Sequence, residues 1–324
     1  MSESRPPFRV IVVGLGVQGR KRLSTAGPDA VGAVDPVEPD ADYKRIEDVP
    51  TSAYDAALVC VPDAAKLDLL PRLLSQGKHV LVEKPLLSDD EGALRGLSEL
   101  ARSQRAVCYT AYNHRFEPHF VRMKELIASG RLGRIYLARL FYGNGTAREV
   151  RGSPWRDRGA GVLPDLGSHL LDTVLFWFKR PASGFRITGA YRFENRAFDH
   201  VAFRSDGPPV LELEMSLLSW RNSFTADLYG EEGSAHIESL CKWGPSSLRI
   251  RSRVLPSGRP PEETVTLVRP DPTWTLEYEH FKRLCAKRTP SDPGKDLWLA
   301  GTIRSLCDEA LRWSRPTGSS REAC

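Results

Sequence analysis

Along the first third of the chain, short β-branched runs alternate with amphipathic stretches. FRVIVVG (8–14) reads as a strand and Val17–Ala26 as a helix. VGAVD (31–35) and YDAALVCVP (54–62) are further strands, and an apolar-periodic helix follows over Ala64–Gln76. KHVLVEKP (78–85) is again a strand, Ser88–Ser103 a helix with Ser88 as its N-cap, and RAVCYTAY (105–112) a strand. Near-continuous apolar strands separated by helices are the pattern of βαβ units, which place their strands in one parallel sheet covered on both faces.

The rhythm changes after Tyr112. A helix is predicted near Pro118–Ser129, a strand over 134–142, a Gly/Arg-rich segment over 143–161, and a helix over Leu163–Phe178. From Gly184 to Val268 the chain reads as successive strands with turn signals: GFRITGAYRFEN, HVAFRSDG, PVLELEMSLLSW, NSFTADLYGEEGS, SSLRIRS and ETVTLV. Several alternate apolar and polar residues, as expected of an antiparallel sheet with one covered face. EYEHFKRLCAK and LWLAGTIRSLCDEALRW read as closing helices, and the last ten residues as a frayed end. The predicted fold is an α/β Rossmann domain, a doubly wound parallel sheet over residues 1–112. An α+β domain with a mainly antiparallel sheet follows over 113–324, whose closing helices are free to pack back on the first domain.

Composition agrees with two domains. The chain has 324 residues, 41% apolar and 27% charged, and domains of ~100–200 residues each carry their own core. No apolar run approaches the ~20 residues of a membrane helix, and MSESRPPFRV has no signal-peptide apolar region. A cytoplasmic protein without a membrane partner is expected. The six cysteines (Cys60, Cys108, Cys241, Cys285, Cys307, Cys324) show no CxxC pair and no histidine at ligand spacing, so neither a disulfide framework nor a metal site is predicted. The net charge of +5 is spread along the chain without an aromatic-interleaved basic stripe, so no nucleic-acid partner is called for.

Gly14-Leu15-Gly16-Val17-Gln18-Gly19 follows the first strand and opens the first helix. In that context the glycines serve a tight turn, a close backbone approach to a pyrophosphate, and helix–strand packing; the helix N-terminus offers free N–H groups to phosphate. A P-loop would need a lysine directly after Gly19 and then Ser or Thr, whereas Arg20-Lys21 stands here. Asp35 lies 21 residues after Gly14 at the end of the second strand, where a carboxylate accepts from an adenosine ribose and repels a 2′-phosphate. NAD is therefore expected over NADP, with Arg20-Lys21-Arg22 as a cationic run that could offset the repulsion if it reached the ribose.

Two further groups carry chemistry. Glu83-Lys84-Pro85 ends a parallel strand on the carboxyl edge, where doubly wound sheets bind ligands; a lysine there can reach a substrate hydroxyl. On spacing alone it reads equally as a surface lysine before proline. Asp165, His169 and Asp172 in LPDLGSHLLD stand at i, i+4 and i+7 of a predicted helix, hence on one face. An imidazole between two carboxylates suits proton transfer, and a capped helix with a hydrogen-bonded core histidine fits the same spacing.

Taken together, these segments resemble the Gfo/Idh/MocA family, named for glucose–fructose oxidoreductase, inositol dehydrogenase and a rhizopine-catabolism protein. The marks are GLGVQG, Asp35, Val61-Pro62, HVLVEKPL (79–86), NHRFEP (113–118), GAGVLPDLGSHLLD (159–172) and a late EYEHF, in the family's order over residues 8–285. The resemblance implies reversible hydride transfer between a nicotinamide and a secondary alcohol of a sugar, nucleotide sugar or cyclitol, in a homodimer or homotetramer. It implies cofactor contacts at Gly14, Gly16, Val17, Gln18, Gly19, Asp35, Val61, Pro62, Glu83 and Lys84. Lys84 would meet the reacting hydroxyl, His169 would act as acid/base, and Asp165 would orient substrate and base. A redox-neutral cycle using bound NAD, and a non-catalytic cofactor-binding regulator, are the alternative readings on this scaffold. Lys66 stands where the family often has histidine, and Gly159-Ala160-Gly161 replaces a glycine triplet.

The family's usual substrate region is here the loop with Trp155, Arg156 and Arg158, near Arg148 and Arg151. A tryptophan packs on a sugar face and arginines suit a carboxylate or phosphate, so an anionic sugar-like substrate is expected. Asn113 and Arg115 open the second domain, and Asp172 completes the candidate substrate set.

Overall fold

The computed structural model describes residues 8–154, 156–290 and 292–313; the frayed end expected of the last ten residues lies outside them. The chain folds into two compact units. One reaches to Phe116 and takes in Thr273–Ala300; the other is Glu117–Pro272 together with the segment from Gly301.

The first unit is built on five parallel strands: β1 (Val10–Val13), β2 (Ala30–Val34), β3 (Ala56–Val59), β4 (His79–Glu83) and β5 (Cys108–Ala111), in the order β2-β1-β3-β4-β5. Every residue of β1 and β3 is buried, which is why both read as unbroken apolar runs. Between the strands run α1 (Val17–Ala26), α2 (Asp63–Ser75) and α3 (Glu91–Ser103). The core lies on both sides of the sheet. Ile11, Val13, Val59, Val80 and Val82 pack with Leu70, Leu73, Leu74, Leu94 and Leu97 of α2 and α3. Val10, Val12, Leu58 and Leu81 pack with Tyr278 and Phe281 of a late helix. Chain order reverses direction at β1, so the segment after β1 sits at the switch point of the sheet, where such folds bind ligands.

Ser88 is not the cap of α3. Asp90 is: its Oδ1 accepts from the Gly92 N–H at 2.7 Å, while the Ser88 hydroxyl accepts one step earlier from the Asp90 N–H at 3.1 Å. Both are good capping residues, and the carboxylate two residues nearer the first apolar helical position takes the cap.

The second unit holds α4 (Pro118–Ala128), β6 (Ile135–Gly143), α5 (Ala147–Arg151), α6 (Ser168–Phe178) and strands β7 (Phe185–Tyr191), β8 (His200–Ser205), β9 (Val210–Ser216), β10 (Ser223–Gly230), β11 (Gly233–Glu238), β12 (Ser246–Ser252) and β13 (Glu262–Leu267). The eight strands pair in the order β13-β12-β11-β10-β6-β9-β8-β7, antiparallel except for the parallel pair β6–β9. The segment NSFTADLYGEEGS, read above as one strand, is a hairpin that turns at Glu231-Glu232 into β11. On β9, Leu211, Leu213 and Met215 are buried and alternate with Glu212 and Glu214, and Arg139 of β6 pairs with Glu212 at 2.7 Å. One face is thus apolar and the other carries ion pairs. The Gly/Arg-rich segment contains α5, too short for its periodicity to show. α7 (Thr273–Lys287) belongs to the first unit, and α8 (Pro293–Trp313) is divided between the units after Ala300. No helix among the described residues is long and apolar enough to cross a membrane.

Candidate functional site

The glycine loop separates the roles of its three glycines. Gly14 has φ 91°, and a Cβ there would stand 2.7 Å from the Cys60 carbonyl oxygen. A Cβ on Gly19 would stand 1.7 Å from the Gly14 carbonyl oxygen, so both are demanded by the fold. Gly16 differs: its φ is −64°, suited to any residue, and a Cβ would meet nothing within 4 Å. What needs a glycine there lies outside the polypeptide, as expected where a backbone is approached by a pyrophosphate. Gly16 is also the N-cap of α1, with no side-chain cap and no acidic residue in the first turn. The first N–H groups, and the exposed Val17 and Gln18, therefore face solvent where a phosphate fits. These residues fit a dinucleotide.

Asp35 follows β2, and its carboxylate is held by the backbone. Oδ2 accepts from the Leu15 N–H at 2.8 Å, and Oδ1 from the N–H groups of Val37 (2.9 Å) and Glu38 (3.0 Å). Burial would raise its pKa, but these three donors and Lys44 win and hold it below the usual carboxylate range. One side chain thereby ties the glycine loop to the end of β2. Val61 and Pro62 lie between β3 and α2, Pro62 exposed at the N-cap of the helix.

Lys84 follows β4 at its carboxyl end, half-buried, with a cis peptide to Pro85. The side chain beneath this turn belongs to Lys66. Its Nζ, on a residue only 2% exposed, donates to the carbonyl oxygens of Glu83 (2.6 Å) and Pro85 (2.8 Å) and to Asp63 Oδ1 (2.6 Å). The carbonyls on either side of Lys84 are therefore pinned to α2 by one ammonium. Burial depresses the Lys66 pKa against the opposing pull of Asp63 and Glu83. The Glu83 carboxylate is committed elsewhere: Oε1 accepts from Arg22 Nε at 2.7 Å, and Arg22 Nη2 reaches Glu277 Oε2 at 2.6 Å. Arg22 is 1% exposed and its guanidinium lies 4.4 Å from the Trp274 ring centroid. This buried ladder joins α1, β4 and α7, and nothing in the spacing of Arg22, three residues beyond Gly19, announced it. Asn113 is similarly fixed, donating to Thr273 Oγ1 at 2.8 Å; Arg115, half-buried, sits in the 3-10 turn Asn113–Phe116.

In the second unit, Asp165 lies in a π-helical turn, Leu163–Gly167, that runs straight into α6. The three residues read as one face differ in exposure. His169 (8% exposed) and Asp172 (1%) are buried, whereas the Asp165 side chain is 41% exposed. Arg156 Nη2 lies 3.9 Å from Asp165 Oδ2. Tyr142, which the sequence did not single out, packs edge-on against the His169 ring at 5.7 Å. Burial, and then the Asp165 carboxylate, push its phenol well above the ordinary tyrosine range. π-turns recur at functional sites.

The loop before this turn is held by buried polar groups. Asp157 Oδ1 accepts from the N–H groups of Arg196 (2.7 Å) and Ala197 (2.8 Å). The Val162 N–H donates to the Phe198 carbonyl at 2.9 Å, and Gly161, at φ 49°, lies so close that a Cβ would stand 2.3 Å from the Phe198 oxygen. Arg158 Nε donates to the Pro154 carbonyl at 2.9 Å. Trp155 lies outside the described residues.

A glycine loop open to a phosphate, an acidic group after β2 and a parallel sheet define the first unit as a dinucleotide-binding domain, and an open eight-stranded sheet forms the second. Residues 8–112 match the family model described as "Oxidoreductase family, NAD-binding Rossmann fold", and residues 120–236 that described as "GFO/IDH/MocA C-terminal domain". The chain belongs to the Gfo/Idh/MocA family. It is 27% identical over 138 residues to an inositol 2-dehydrogenase of Rhizobium meliloti, a match covering 42% of this chain and 40% of that protein. The chain thus spans about two fifths of the curated relatives it matches. Among solved structures it is similar to an oxidoreductase from Desulfitobacterium hafniense described as NADPH-dependent (TM-score 0.81, 14% identity, 95% and 97% of the two chains). It is similar also to levoglucosan dehydrogenase in complex with NADH (TM-score 0.78, 18% identity, 94% and 97%). At these identities the likeness is one of fold.

Proposed function

We propose that the protein is an NAD-dependent dehydrogenase or ketoreductase acting on a secondary alcohol or ketone of a sugar, nucleotide sugar or cyclitol, working as a cytoplasmic homo-oligomer. The observation that carries this reading is the Lys84 turn. A buried ammonium from α2 spends its hydrogen bonds fixing the two carbonyls that flank one lysine at the carboxyl end of a parallel strand. Such fixing holds the backbone of one lysine at the ligand-binding edge of the sheet, as a preorganised site requires. The nicotinamide supplies hydride chemistry when bound. Lys84 contacts the reacting hydroxyl, and His169 exchanges the proton with it. Asp165 orients the substrate, and Arg156 beside it reads an anionic group.

The test is NADH formation from NAD across free sugars, cyclitols, sugar acids and nucleotide sugars, with NADP in parallel. Turnover confined to one such class, lost in His169→Ala while NADH still binds, is expected. No net NADH from any class despite intact NADH binding would overturn the dehydrogenase reading and favour a redox-neutral cycle or a regulator.

A further inference from the structure

Of the cationic run Arg20-Lys21-Arg22, only Arg20 has its guanidinium beside the acidic end of β2. Arg22 is buried between Glu83 and Glu277, and Lys21 Nζ lies 5.4 Å from the Trp274 ring centroid. Arg20 directly follows the last glycine of the loop, on the first turn of α1, and two carboxylates grip it. Nη2 pairs with Glu38 Oε2 at 2.7 Å, Nη1 with Asp40 Oδ2 at 2.7 Å, and Nη2 with Asp40 Oδ1 at 3.1 Å. The backbone N–H of that same Glu38 donates to Asp35, so the grip closes within one turn of the carboxylate that faces an adenosine ribose in this fold.

We propose that Glu38 and Asp40 form a latch that withholds Arg20 from a ribose 2′-phosphate and so sets the preference of this site for NAD over NADP. The inference rests on the dinucleotide reading of the first unit and adds to it how the choice of cofactor is made. Asp35, Glu38 and Asp40 against Arg20 and Lys44 leave this edge with one net negative charge. A 2′-phosphate brings about two more, and the guanidinium that could receive it as a bidentate partner has both of its terminal nitrogens engaged by Glu38 and Asp40. Neutralising both latch residues turns the edge to one net positive charge and frees the fork. Asp40 alone offers both oxygens, so removing Glu38 by itself leaves Arg20 held.

The experiment is fluorescence titration of the full chain with NADH and NADPH, comparing wild type, Glu38→Gln, Glu38→Gln/Asp40→Asn, and that double variant with Arg20→Met added. The changed side chains are all substantially solvent-exposed, and a melting curve confirms that each variant folds. The expected result is a Kd ratio, NADPH over NADH, that falls at least about tenfold in the double variant, less than about threefold in Glu38→Gln, and returns to near the wild-type value when Arg20 is removed. An unchanged ratio in the double variant overturns the latch. A gain that survives Arg20→Met also overturns it, because the carboxylates would then act by repulsion alone. Absence of NADH binding by wild type would instead overturn the dinucleotide reading itself.

Discussion

Replacing Lys66 by Met tests the link between the buried ammonium and the turn above it. Methionine fills a similar volume and keeps the stem packed among the residues of α2, but it donates nothing. The Asp63 partner is 58% exposed and is discounted to near zero, since water replaces the lysine. The Pro85 carbonyl is buried and the Glu83 carbonyl partly so. Orphaning them costs ~1–3 kcal/mol for the first and less for the second. Removing a buried charge returns part of that, so a net loss of ~1–3 kcal/mol is expected. At ~2–4 °C per kcal/mol for a unit of this size, Tm should fall by roughly 2–12 °C. The functional effect is separable. With both carbonyls released, the Lys84 turn loses these two anchors, and a misplacement of about 1 Å costs on the order of a hundredfold in rate. We expect kcat to fall ~10–100-fold while the Kd for NADH, governed by the glycine loop and Asp35, stays within about threefold. The assays are a melting curve, NADH titration and turnover on the best alcohol found. Unchanged turnover in a variant with the lowered Tm would refute the positioning argument and leave Lys66 a purely structural group.

Further expectations follow from the same geometry. Gly16→Ala should fold with Tm within about 2 °C of wild type yet lose NADH binding at least tenfold, whereas Gly19→Ala should fail to give a folded first unit; equal effects on folding would show that Gly16 is not reserved for a ligand. Asp35→Ala should weaken NADH and NADPH binding together as well as narrowing the preference between them, because the side chain also holds the Leu15 N–H; an unchanged NADH Kd would remove Asp35 from the site. Burial pushes the Glu277 carboxyl up to about 7, against Arg22 and with the help of Glu83, so the folded chain keeps a proton that the unfolded chain releases near 4.5. The stability from this group is accordingly full below about pH 4.5 and is lost as pH rises through about 7. Glu277→Gln should flatten the decline of Tm between pH 5 and 8, and a slope identical to wild type would contradict that assignment.

The parallel sheet could be read in the sequence because its strands are buried on both sides and its helices are separated by glycine and proline punctuation; Val17–Ala26 has the limits expected of it. The open sheet showed itself through period-two alternation, but β11 (Gly233–Glu238) was not read as a strand, since its first residues, Gly233-Ser234, look like the end of a turn. The glycine loop and the Lys84 turn were legible since each is a local motif. What stayed hidden depends on long-range pairing. Arg22 meets Glu277 across 255 positions and Lys66 meets the Pro85 carbonyl across 19, and no spacing rule joins such residues. The π-turn at 163–167 likewise leaves no mark in the pattern of apolar positions, nor does the greater exposure of Asp165 beside the buried His169 and Asp172. Sequence alone counted Arg20-Lys21-Arg22 as one basic run, whereas the fold pairs Arg20 with Glu38 and Asp40, buries Arg22 between Glu83 and Glu277, and sets Lys21 near the Trp274 ring.

Under the proposed function, Lys84 and His169 serve proton transfer coupled to hydride transfer with NAD. The most direct measurement is the rate of NADH formation on the best alcohol by wild type, Lys84→Met and His169→Ala, alongside NADH affinity for each. Turnover is expected to fall by ~10²–10⁴-fold in both variants, the range of lost general acid–base catalysis, with NADH binding changed by less than about threefold in His169→Ala. Turnover within about threefold of wild type in either variant would contradict that function.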